Sequence, residues 1–127
     1  MQSSRNLFNN IPNKDYMHLF SAHEVIGGNV AKILNYKKTD LSVATKVPLN
    51  SVRYDDKMPS ELKERLTEWA TAINLVAEFF NDEEKTILWF STPNPLLGDI
   101  SPRNMIKMGR FQKLFKFIQT ALDENSR

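Results

Sequence analysis

The chain contains no cysteine, which excludes disulfides, thiolate metal sites and a cysteine nucleophile and suits a reducing compartment. Histidine is scarce: His18 and His23 are the only two. They stand five apart with no third nitrogen or sulfur donor in reach, so a zinc-type ligand set is missing. Glycine is held to four residues. Gly27-Gly28 does not make a phosphate cradle, and no serine sits between glycines as in a nucleophile elbow. Eighteen apolar residues never run together, and no basic head precedes an apolar stretch near the N-terminus, so neither a membrane span nor a secretory leader is expected. These absences predict a cytoplasmic protein with no catalytic group, metal or cofactor, and no place in a membrane.

What is present suffices for one domain. The 127 residues are 41% hydrophobic and 25% charged, enough to bury a core without a covalent staple. The net charge of +2 conceals a pattern. Basic residues prevail before residue 55, acids prevail from 55 to 85, and Arg103, Lys107, Arg110, Lys113 and Lys116 then follow without an acid between them. Basic ends suit nucleic acid or an acidic partner, and exposed charge of either sign also simply solvates helix faces.

Helical spacing governs most of the chain and predicts an all-α fold. Three parts are expected: an irregular arm over 1–20, a helix-turn-helix-like region over 21–58 and a helical region over 59–127. Ser21 and Glu24 have capping-box spacing, and Val25, Ile26, Val30, Ile33 and Leu34 follow at helical steps, which predicts a helix from Ser21. Gly27-Gly28 weakens that helix and would let another backbone approach. The stretch KTDLSVATKVPLNSVRYDD predicts two short helices around a tight turn. Thr39 or Asp40 caps the first, Pro48 interrupts, and a second runs from Leu49 to Tyr54.

This is helix-turn-helix spacing, and Lys46, Asn50, Ser51 and Arg53 are side chains able to touch phosphates or base edges of DNA. The unit is degenerate. Lys46 fills the turn position usually given to glycine, and Asp55-Asp56 would repel phosphate if the second helix entered a groove.

From a cap at Ser60 to Phe80, Leu62, Leu66, Trp69, Ile73, Val76, Ala77 and Phe80 recur at steps of three and four, a long amphipathic helix. Ala72, Leu75 and Phe79 add a second strip. A helix apolar on two sides is either central in its own domain or shared with a second subunit, and this strip is the expected contact of a homo-oligomer. Glu83 to Phe90 predicts another short helix with an acidic start. A helix beginning at Pro102 behind a Ser101 cap bends at Gly109. Phe111, Leu114, Phe115, Ile118, Ala121 and Leu122 then form the apolar face of a last helix. Phe117 lies at the margin of that face beside Arg110 and Lys113, either a protein contact or a ring lapping over the core.

Between these helices lies STPNPLLGDISPRNMI, Ser91 to Ile106, too rich in proline for one element and too apolar for a linker. Pro93 and Pro95 fix two torsions, Asn94 bonds its own neighbourhood and Gly98 permits a positive torsion, so the chain reverses stiffly while Leu96 and Leu97 plug the core.

The order Trp89, Thr92-Pro93-Asn94-Pro95-Leu96-Leu97-Gly98, then Ser101-Pro102 opening an apolar helix, resembles the C-terminal toxin-binding domain of the MbcA/ParS/Xre antitoxins. The resemblance extends over roughly residues 25–122. It implies an antitoxin of a type II toxin–antitoxin system that neutralises a RES-domain toxin, an enzyme that consumes NAD or transfers ADP-ribose from it. The N-terminal region of such proteins can bind operator DNA. Carried to this chain by location, Arg103, Arg110, Phe117 and Arg127 become toxin contacts, whereas Trp89, Asn94, Pro95, Leu97, Gly98, Ser101 and Pro102 chiefly set helix geometry. The alternative from another class is a stand-alone DNA-binding regulator, with a purely structural oligomer third.

Overall fold

The computed structural model describes residues 14–125. A two-stranded antiparallel hairpin, β1 (Phe20–Ser21) and β2 (Glu24–Val25), precedes helices α1 (Gly27–Leu34), α2 (Lys38–Thr45), α3 (Ser60–Phe80), α4 (Glu83–Ser91), α5 (Pro102–Lys107) and α6 (Phe111–Asn125). The fold is all-α, with a single 3-10 turn at Leu49–Ser51 and another at Pro95–Leu97.

The long period in the sequence becomes the axis of the molecule. On α3, Leu62, Leu66, Trp69, Ile73 and Val76 are buried along one strip, and Ala72 and Leu75 are buried along the other. Helices α1, α2, α4 and α6 and the hairpin all pack on it. The helix is therefore central in its own domain, the first of the two possibilities its pattern allowed. Ala72 and Leu75, expected at an oligomer contact, are shut inside the protomer, while Phe79 alone of that strip remains half exposed, at 51%. Ser60 is the first helical residue behind Pro59 rather than a cap. One hydrophobic core runs from Met17 to Ile118 and crosses the expected boundary at residues 58–59 without interruption.

The helix expected from Ser21 does not form there. Instead of closing a capping box, Ser21 and Glu24 pair across the hairpin, with Ala22 and His23 at positive φ in its turn. The cause lies upstream. Asp15 accepts the backbone amides of Leu19 and Phe20 at 2.8 and 2.9 Å, and the Leu19 carbonyl accepts the Ile26 amide at 2.7 Å, so the chain must reverse before a helix can begin. Asn74, buried in α3, ties this loop down: its side-chain oxygen accepts the Met17 amide at 3.0 Å and its amide donates to Asp15 at 2.9 Å. Helix α1 starts only at Gly27.

Gly27 meets a side chain rather than a backbone. A methyl group at its Cα would fall 2.7 Å from the Tyr54 ring and 2.9 Å from a Leu66 methyl, whereas one at Gly28 would find nothing nearer than 3.7 Å. The glycine lets the Tyr54 ring lie over the start of α1.

In the helix-turn-helix-like region α2 forms, with Lys37 at its cap and Asp40 accepting the Lys37 amide at 2.8 Å. Thr39 lies inside the helix. The second helix, expected over residues 49–54, is only the three-residue 3-10 turn. Val52 is drawn into the core with extended torsions, and that burial stops the turn from propagating. Lys46 adopts φ 64°, the left-handed conformation its glycine-like position demands, while Ser42 Oγ donates to the Val47 carbonyl at 2.6 Å and closes the corner.

Two tests follow from these contacts. Gly27→Ala should destabilise by about 1–3 kcal/mol through overpacking, while Gly28→Ala should be neutral or stabilising by at most about 1 kcal/mol, as read from urea unfolding midpoints. Burial pushes the pKa of Asp15 up, but the Leu19 amide, the Asn74 side chain, the Phe20 amide and the nearby His18 outweigh it and hold the pKa below the ordinary value. A folded-state pKa lower than the unfolded one contributes stability that is present above the unfolded value and fades as pH falls through the folded one. Asp15→Asn should therefore lower stability at neutral pH and flatten its decline below about pH 4, measured as unfolding midpoint against pH.

Candidate protein-binding groove

The proline-rich segment folds as its composition demands. The Asn94 side chain caps the 3-10 turn by accepting the Leu96 amide at 2.9 Å, and its carbonyl accepts the amides of Leu97 and Asp99 at 2.9 and 3.0 Å. The Asn94 amide donates to the Ile100 carbonyl at 3.2 Å, closing the loop as an isolated bridge. Gly98 takes φ 77° with no atom within 4 Å of where a Cβ would stand, so its requirement is torsional rather than spatial. Ser101 Oγ accepts the Asn104 amide at 3.3 Å and Pro102 opens α5, as the sequence predicts. The chain turns again at Gly109, φ 81°, before α6.

One element of this loop departs from expectation. Leu97 and Ile100 pack against the core, but Leu96 points outward, 79% exposed. It does not plug the core, because the single turn of 3-10 helix that follows Pro95 can direct only one of two successive leucines inward.

Leu96 stands instead at an apolar cavity of about 190 Å³, walled by the C-terminal turn of α3 (Val76, Phe79, Phe80), by Trp89 of α4 and by the second half of α6 (Phe117, Ile118, Leu122), with Asn94 and Asn125 supplying its polar atoms. Local ring geometry shapes the walls. Phe79 and Phe80 meet edge to face with centroids 5.3 Å apart, and Trp89 stands edge to face on the fully buried Phe90 at 5.0 Å. The volume is below the roughly 300–1,000 Å³ of sites for drug-sized ligands and is of the order of a few inserted side chains. Thus Phe79, expected at an oligomer contact, and Phe117, expected at a toxin contact, share one groove with Trp89 and Asn94 of the motif.

The other candidates are scattered. Arg110 is exposed at the head of α6, and Arg127 lies outside the described residues. Arg103, half-buried, is bonded within the fold. Its guanidinium donates to the Leu34 carbonyl at 2.6 Å and the Asn35 carbonyl at 3.0 Å, neutralising the C-terminus of α1, and sits 5.2 Å from the Tyr36 ring centre. The Tyr36 hydroxyl in turn donates to the Arg103 carbonyl, and burial pushes its pKa well above the usual tyrosine range. Beside this pair Lys107 bonds Asp40 at 2.6 Å, so α5 is clamped to both α1 and α2.

The side chains considered for DNA do not share a reading helix. Lys46 caps the end of α2, Asn50 and Ser51 lie in the 3-10 turn, and Arg53 makes a two-pronged bond to Asp55, 2.7 Å through Nε and 2.5 Å through Nη2. Among the described residues no group of three or more His, Asp or Glu side chains is placed to hold a metal ion, and no helix is long and apolar enough to cross a membrane.

Sequence reasoning missed Phe80, Leu96 and Leu122 as groove residues. Each sits at a position whose helical phase or loop context reads as core, and only the assembled packing brings the end of α3, Trp89 of α4 and the second half of α6 around one cavity. No family model, no curated protein and no solved structure matches the chain.

Because the Arg103 guanidinium serves the fold, Arg103→Ala should lower stability by about 2–3 kcal/mol, the scale for losing charge-assisted bonds that leave carbonyls unpaired. Arg103→Lys should recover only part of it, since an ammonium lacks the planar fork whose Nε and Nη2 reach the two carbonyls while the group lies beside Tyr36. Denaturant titration of the three proteins makes the comparison.

Proposed function

We propose that this protein is an antitoxin that binds and neutralises a RES-domain toxin, an enzyme acting on NAD. The reading rests on the resemblance of the segment from Trp89 to Pro102 to the toxin-binding domain of the MbcA/ParS/Xre antitoxins. The observation that carries it is that this motif, together with Phe117, walls an exposed apolar groove. Exposed aromatic and aliphatic side chains around a cavity of side-chain size are what a protein partner needs for an anchor pocket.

Operator binding, the other activity of such proteins, finds less support. A 3-10 turn of three residues is too short to lie in a major groove, and the Arg53 guanidinium is occupied by Asp55. A stand-alone regulator is accordingly the weaker reading.

Co-expression with the reading frame that neighbours its own should restore growth to cells producing that frame's product and should yield a complex on purification. Removing the whole of α6 would be a poor probe of the contact, since Leu114, Phe115 and Ile118 are buried in the core. Phe117→Asp is the better one. It should leave the helical circular dichroism intact and weaken the complex at least tenfold, about 1.4 kcal/mol. A neighbouring product that is not toxic, or rescue without any complex, would refute the antitoxin assignment.

A further inference from the structure

The groove has a charged edge as well as an apolar floor. Lys113 lies one helical turn before Phe117 on the same edge of α6, and Arg110, the residue just before the helix, lies roughly one turn before Lys113, while Lys116 stands about 100° round the helix from Phe117, away from that edge. All three are exposed, and none forms an ion pair among the described residues. Lys107, a few residues earlier, contrasts with them, being held by Asp40. Acids gather elsewhere: Asp123 and Glu124 at the other end of α6, and Asp82, Glu83 and Glu84 just after α3. Charge along α6 is thus polarised, basic at its head and acidic at its tail.

The walls decide the form of the occupant. They are helix faces and one capped turn whose backbone groups are bonded within their own elements, so an extended partner finds no open sheet edge to pair with. What fits is a helix laying apolar side chains at helical spacing between Phe79, Trp89, Leu96 and Phe117.

We infer that the groove takes an amphipathic helix of the toxin that is acidic where it faces Arg110 and Lys113. This deepens the preceding reading and rests on it for the source of the helix. The apolar anchors supply the affinity and the cations set orientation and choice of partner, since complementary rim charge acts mainly on specificity and association rate. A helix that is basic at that end meets like charge from Arg110 and Lys113 and is disfavoured.

The probe is a displayed library of helical peptides of about 20 residues, roughly 30 Å long, selected against the full-length protein. Leu, Ile, Phe or Met occupies one face, and each flanking position is either Glu or Lys. Clones that bind the wild type but neither Leu96→Asp nor Phe117→Ala should carry Glu along one flank. Their affinity should fall roughly tenfold for the Arg110→Glu/Lys113→Glu protein and weaken as salt rises. Reselection on that double variant should turn the preference toward Lys. Circular dichroism on each variant establishes that it remains folded.

Enrichment without charge preference, preference for Lys on the wild type, or no groove-dependent clones would overturn the inference. So would self-association through the groove that Leu96→Asp abolishes. The antitoxin reading fails separately: it falls if co-expression gives no toxin complex, even where acidic helices bind the groove. Conversely, full rescue by the Arg110→Glu/Lys113→Glu and Phe117→Ala proteins would leave the antitoxin standing and remove this docking mode.

Discussion

Burial of α3 on nearly every side is the constraint on which the rest of the molecule depends. Trp69, Ile73, Leu66 and Leu62 are closed off completely or almost so, and truncating any of them would cost on the order of 2–5 kcal/mol. A helix enclosed in this way fixes the positions of its neighbours. It holds Tyr36 edge to face against Trp69 at 5.9 Å, and it anchors the N-terminal loop through Asn74. One polar side chain in an apolar helix thereby decides where the chain enters the core. Asn74 is tolerated there because both its donor and its acceptor are used.

Enclosure ends at the last turn of α3. Phe79 and Phe80 lie where α4 has turned away after Asn81, whose φ of 52° ends the helix, and where α6 covers only one side. The proline-rich loop then places Leu96 over the gap instead of filling it. The groove lies among elements joined by two turns, at Asn81-Asp82 and at Pro93 to Gly98, with α6 packed on α3 as its remaining wall. Phe117 completes the opening from a helix position that is neither core nor solvent.

Much of the fold was legible in the sequence. The long helix, the acidic start of α4 with Asp82 capping the Lys85 amide at 2.9 Å, the Ser101-Pro102 start and the break at Gly109 all rest on local signals that tertiary contacts did not overrule. Elsewhere distant residues prevailed. The capping-box spacing at Ser21 yielded to Asp15 and the hairpin, and the periodicity after Pro48 yielded to the burial of Val52. The bonds of Arg103 to the end of α1 were not legible, because nothing in one dimension reveals that the two lie together. Of the groove, the sequence disclosed Phe79, Phe117, Trp89 and Asn94 as separate points of interest. Their convergence, and the outward turn of Leu96, depend on packing that no periodicity expresses.

An apolar groove, assembled from the motif and the final helix, is proposed to seat a segment of a toxin, while Tyr36 and Asp40 of the N-terminal half hold α5 in place through Arg103 and Lys107. The most direct measurement is the structure of the complex formed with the toxin on co-expression. The account predicts partner side chains seated between Phe79, Trp89, Leu96 and Phe117, with an acidic flank along Arg110 and Lys113. A toxin bound to another face, leaving those four side chains open to solvent, would contradict it.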